Sequence, residues 1–129
     1  MRYLTDEWFE AVREAGARLP RRDGFDLVID VEVAGSPDGK VRYHEVWQAG
    51  RLAEVAAGKH PDAQCSFALK YPDAMALVSG ELDAHVGYMQ GRLKVDGAYE
   101  RWLYDFRPLL ASAEYRELTA AVADATDFD

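Results

Sequence analysis

Phe25-Asp26-Leu27-Val28-Ile29-Asp30-Val31-Glu32-Val33 alternates with period two. Phe25, Leu27, Ile29, Val31 and Val33 fall on one face and Asp26, Val28, Asp30 and Glu32 on the other, the pattern of a strand buried on one side. Ser36-Pro37-Asp38-Gly39 follows, a tight-turn sequence in which proline presets its own φ and glycine accepts φ > 0. Residues 40–48 then read as the return strand, Ala49-Gly50 as a second turn, and residues 51–56 as a third strand. Gly58-Lys59-His60-Pro61-Asp62 breaks the chain before a fourth strand over residues 64–70, with Cys65, Phe67 and Leu69 on one side. Links this short between the first strands imply antiparallel pairing.

Upstream, Thr5 is placed as an N-cap, with Asp6 and Glu7 in the positive first turn. Trp8, Phe9, Val12, Ala15 and Leu19 recur at helical spacing, so residues 5–19 read as an amphipathic helical extension ending before Pro20. Arg21-Arg22 belongs to a solvated loop. Downstream, Pro72 opens a short helix over residues 73–79 that stops at Gly80. Another short helix spans residues 82–89, and Gly91 to Gly97 is a short alternating strand between glycines. From Ala98 the pattern is helical, with Tyr99, Trp102, Leu103, Phe106 and Leu110 on one stripe, and Pro108 kinks or restarts this helix. Ser112 caps a last helix over residues 112–123, and an acidic tail occupies about 124–129.

The 129 residues predict one domain, with no linker or repeat. The order helix, four-strand meander, helices, strand, helices predicts an α+β fold: a five-stranded, mainly antiparallel, twisted sheet with helices covering one face. The helical excursion between Lys70 and Gly91 is long enough to carry a crossover, which predicts residues 91–96 as an internal strand parallel to a neighbour.

Fifteen Lys and Arg stand against 23 Asp and Glu, a net charge of −8, which excludes general nucleic-acid binding and disfavours anionic lipid surfaces. No apolar stretch reaches about 18 residues, so no stable membrane insertion is expected. The single cysteine, Cys65, allows no intrachain disulfide. With an N-terminus that turns acidic at once, this predicts a cytoplasmic protein.

His44, His60 and His85 lack ligand spacing, so no metal is expected. Cys65, placed mid-strand among apolar neighbours, reads as an inert core thiol. No nucleophile elbow, phosphate loop or dinucleotide-binding glycine pattern is present. No cofactor and no catalytic residue is therefore predicted. Two points stay open at this level. Asp26, Asp30 and Glu32, with Glu45 on the next strand, form a solvated face or else offer a carboxylate base to an apolar cavity. Tyr99, Trp102, Leu103, Phe106, Leu110 and Met89 line a pocket or simply pack the core.

Met89-Gln90-Gly91-Arg92-Leu93-Lys94-Val95-Asp96-Gly97 resembles the most recurrent segment of the sterol carrier protein type 2-like family. There, a Gly-[Lys/Arg]-Leu-Lys-[Val/Ile]-x-Gly strand follows a short helix and precedes the pocket-closing C-terminal helices. Leu27-Val28-Ile29-Asp30-Val31, the hairpin at Pro37-Asp38-Gly39, the turn His60-Pro61-Asp62-Ala63 and the helix before Ser79-Gly80-Glu81-Leu82-Asp83 are similar to the same family in the same order. The resemblance covers roughly residues 25–110. It implies an apolar tunnel between sheet and helices, and a carrier without catalysis. The ligand expected is a fatty acid, fatty acyl-CoA or sterol-like molecule, and Val86, Met89, Leu93, Trp102, Phe106 and Leu110 are expected to border the cavity. Two other readings compete. One is a small enzyme on an apolar substrate, with Asp26 or Asp30 as a buried base. The other is an accessory or interaction domain whose cavity has closed.

Overall fold

The alternating segment forms strand β1 (Leu27–Ser36) in the computed structural model, which describes residues 1–128. Leu27, Ile29, Val31 and Val33 are buried and the residues between them are partly exposed. The turn is closed by Ser36, whose Oγ donates to the Gly39 carbonyl (2.5 Å) and accepts from the Asp38 N–H (3.2 Å). The chain returns as β2 (Gly39–Gln48) and turns again into β3 (Arg51–Ala57). With β4 (Cys65–Lys70) and β5 (Leu93–Gly97) these make one sheet in the order β3-β2-β1-β4-β5. Three of the four pairings are antiparallel, so the sheet is mainly antiparallel as expected, and β1–β4 is the parallel one.

The placement of β5 corrects one expectation. It is an edge strand, antiparallel to its only neighbour, rather than an internal parallel strand. The reason is register. Leu93 opens β5 opposite Leu69 near the end of β4, so the helical excursion returns to the end of the sheet it left. The crossover that makes the parallel pair is the short link 58–64. Ala57 lies level with Tyr43 and hence Val31, and Cys65 lies level with Ile29. The link therefore moves sideways over two strands instead of back along one, and a few residues suffice. It crosses the outer face, where the Gly58 carbonyl meets His44 Nδ1 (2.8 Å) and Asp30 Oδ1 accepts the His60 N–H (2.9 Å). Strand β3 also departs from simple alternation. Leu52 and Val55 are both buried because Ala53 bulges between the pairs Trp47–Leu52 and Val46–Glu54.

Among the described residues there are five α-helices: α1 (Asp6–Ala17), α2 (Tyr71–Ser79), α3 (Ala84–Met89), α4 (Arg107–Leu110) and α5 (Ala113–Asp124). Thr5 and Ser112 cap α1 and α5 as their positions predicted, each hydroxyl accepting the N–H three residues on. The first helix is part of the core. Trp8, Phe9 and Val12 are buried in the same cluster as the strands. At Gly16 a Cβ would lie 2.4 Å from Leu52 Cδ1 and 2.7 Å from its Cβ, so only glycine lets α1 settle this closely on β3.

The segment beyond Ala98 is not one kinked helix. Residues 101–105 form a wide turn closed by the Phe106 N–H on the Arg101 carbonyl, 2.9 Å away and five residues back. Helix α4 then restarts with Pro108 in its first turn, where a missing N–H costs nothing. The C-terminal tail is tied down: Trp8 Nε1 donates to Thr126 Oγ1 (3.1 Å), and the Phe128 ring meets Tyr3 at 5.3 Å. Asp129, the last residue of the expected acidic tail, lies outside the described residues.

Candidate functional site

The inner face of the sheet and the helices do not close on each other completely. Between them lies a cavity of about 630 Å³. Ile29, Val31, Val33, Tyr43, Trp47, Phe67 and Leu93 form its sheet side. Trp8, Leu77, Trp102, Phe106, Leu110, Tyr115 and Leu118 face them from the helical layer and its connections. The rings hold each other edge to face: Trp47 on Phe106 at 5.8 Å and 82°, and Phe67 on Trp102 at 4.9 Å and 69°. Such pairs stiffen a wall without filling the space beside it. Gly80, Asp83, Arg107 and Arg116 line the cavity and are themselves exposed, which places its mouth between α3, α4 and α5.

Of the residues named from sequence, Leu93, Trp102, Phe106 and Leu110 stand on this wall. Val86 and Met89 do not. They are 47% and 80% exposed and point away from it, which corrects that part of the expected border. The phase of α3 explains this. Asp83 Oδ1 accepts the His85 and Val86 N–H groups and starts the helix there, and Gly87, packed on Leu82, becomes its buried side. Ala84 and His85 line the cavity instead. The His85 ring stacks on Trp102 (4.9 Å, 8°), and its Nε2 donates to the Leu103 carbonyl at 3.1 Å. The acceptor is a carbonyl, so this nitrogen carries the proton, and the ring is fixed as a plate behind the indole.

The carboxylates separate into two groups. Asp26, Asp30 and Glu32 belong to the outer side of the sheet, away from the cavity, and each has a local partner. Asp26 accepts the Ala49 N–H (2.9 Å), Asp30 the His60 N–H (2.9 Å), and Glu32 the Arg42 Nε–H (3.0 Å). A base role for Asp26 or Asp30 in the cavity is thereby corrected: the period-two alternation turns them outward while their apolar neighbours turn inward.

Glu45 is the carboxyl that faces inward. It pairs in register with Ile29, between Tyr43 and Trp47, and lines the cavity. Its Oε1 accepts the Trp47 Nε1–H at 3.2 Å. Burial raises its pKa above the usual 4.5, and the indole bond opposes that shift only in part. The Tyr3, Tyr43 and Tyr115 hydroxyls beside it are also pushed up, chiefly by burial and then by neighbours that include Glu45. The sequence held a signal for this. Val41, Tyr43, Glu45 and Trp47 alternate, and three apolar or aromatic residues around one acid mark an inward position. At Cys65, burial first and Asp96 second push the thiol up to about 11, which keeps it protonated near neutrality.

A model of the SCP-2 sterol transfer family matches residues 8–101, and the chain belongs to that family. Among solved structures it is similar to a sterol carrier protein 2 crystal structure at TM-score 0.65 and 13% identity, over 94% of this chain and 96% of that one. The apo sterol carrier protein 2 of Yarrowia lipolytica aligns at TM-score 0.51 and 20% identity, over 81% of this chain and 75% of that one. The palmitated SCP2L2 of Aedes aegypti aligns at TM-score 0.59 and 12% identity, over 82% and 90%. At these identities the likeness is one of fold. No curated protein matches the sequence significantly. Among the described residues, no helix is long and apolar enough to cross a membrane.

Proposed function

We propose that this protein is a non-catalytic, cytoplasmic carrier that holds one apolar lipid, with a fatty acyl or sterol-like body, in the cavity between sheet and helices. The observation that carries this is the cavity itself. At about 630 Å³ it lies within the roughly 300–1,000 Å³ typical of small-molecule sites. Its walls are mostly aliphatic and aromatic, so a ligand is driven in by loss of hydrated apolar surface, about 25 cal/mol per Å². Membership of a sterol transfer family supports the same function, and one structural neighbour is described as palmitated.

Native mass spectrometry of the protein purified without detergent tests it. The expected spectrum contains a complex one lipid heavier than the chain, which reverts to the bare mass after organic extraction. A bare mass throughout, and no uptake when the extracted protein is incubated with long-chain neutral lipids, would contradict the carrier function.

A further inference from the structure

The cavity is not uniformly apolar. Glu45 meets it, and the phenols of Tyr3, Tyr43 and Tyr115 gather round that carboxyl, close enough to act on its field and on each other's. One carboxyl oxygen, Oε1, is occupied by the Trp47 indole. Among the described residues Oε2 has no protein partner and no cation pairs with the carboxyl. Neither oxygen is sealed from the cavity as a buried orphan. Arg107 and Arg116 line the same cavity, but at its exposed mouth, and among the described residues neither is ion-paired with Glu45. A lone acid placed among aromatics is expensive to bury unless something satisfies it.

We propose that Glu45, with the hydroxyls of Tyr3, Tyr43 and Tyr115, is a head-group seat that selects lipids ending in a neutral hydroxyl over those ending in a carboxylate. The proposal rests on the carrier function and names which head enters. The chemistry of the seat sets the preference. A ligand alcohol donates to Oε2 and accepts from a phenol O–H, so both of its hydrogen-bonding functions are met. A ligand carboxylate in the same place would stand beside Glu45 with no cation to offset the pair, and one of the two would have to take up a proton. A bare hydrocarbon end would leave Oε2 and the phenols unanswered, although it would still gain the apolar burial.

The test is a competition on extracted protein at neutral pH. A pyrene-labelled alkane serves as reporter, and 1-hexadecanol and palmitate serve as competitors. The wild-type protein is expected to bind hexadecanol about tenfold or more tightly than palmitate, since like charges brought together in an interface are strongly unfavourable. In Glu45→Gln, which keeps the shape and removes the charge, palmitate should recover and the ratio should fall towards one. In Glu45→Leu, hexadecanol should lose its advantage over the alkane reporter. Urea midpoints of both variants show that they are folded. Equal wild-type affinities for alcohol and carboxylate, or an unchanged ratio in Glu45→Gln, would each overturn the seat while leaving the carrier function standing. Failure of the alkane reporter itself to bind would instead overturn the carrier function on which the seat depends.

Discussion

Replacing Glu45 with glutamine removes a charge from an apolar cavity and keeps the side chain's outline. Because burial raises the folded-state value, the native protein binds this proton more tightly than the unfolded chain does. The stability linked to it is therefore fully present below the unfolded value and is lost as pH rises through the folded one. Glu45→Gln should match the wild type in acid and become the more stable protein as pH climbs past the carboxylate range. Urea midpoints measured across pH check this, and two curves that stay parallel would contradict it. Cys65, 1% exposed and with its thiol raised to about 11, should react with iodoacetamide only slowly in the native protein at neutral pH and rapidly once urea unfolds it. A fast stoichiometric reaction without denaturant would be the contrary result. At this scale the sequence was legible where causes are local. Thr5 and Ser112 cap because their hydroxyls reach an N–H three residues away. Glu45 was harder, because an acid on a strand declares its face only once the aromatic positions on either side of it are counted.

The elements show the same division between local and distant causes. Strands β1 to β3 and their turns follow from alternation and from the Ser36-Pro37-Asp38-Gly39 turn, all within neighbouring residues. The direction of β5 does not, because the length of the excursion over residues 71–92 says nothing about which end of the sheet it returns to. The bulge at Ala53 and the wide turn at residues 101–105 were likewise invisible, since both are set by packing against other strands and helices. Gly97, where β5 ends, has φ +85°, and a Cβ there would sit 2.4 Å from the Gln64 carbonyl oxygen. Both strain and contact oppose a side chain, so Gly97→Ala should lower stability by about 1–3 kcal/mol or more. Equilibrium unfolding measures this, and an unchanged midpoint would mean that β5 does not leave the sheet in this conformation.

For the molecule as a whole, an aromatic stripe on a late helical segment is compatible with a packed core and with a lined cavity alike. The difference lies in the distance between layers, which no spacing along the chain encodes, and this is why Leu93, Trp102, Phe106 and Leu110 could be named as a border but the cavity could not be derived. Phe106 is 1% exposed yet has the cavity on one side. Phe106→Ala should therefore cost less than the roughly 3–5 kcal/mol of a fully packed phenylalanine and should alter probe affinity as well. A full core-sized loss with unchanged affinity would place that ring in ordinary packing.

All three tryptophans of the chain, Trp8, Trp47 and Trp102, line the cavity, so the protein reports on its own contents. The most direct measurement is a titration of the extracted protein with a pyrene-labelled alkane, following tryptophan emission and energy transfer to the pyrene together. A lipid held inside predicts saturable quenching at one probe per chain, with a Kd on the order of micromolar, about −8 kcal/mol. Tryptophan emission that stays constant, or that falls without saturating as probe is added, would contradict an internal lipid site.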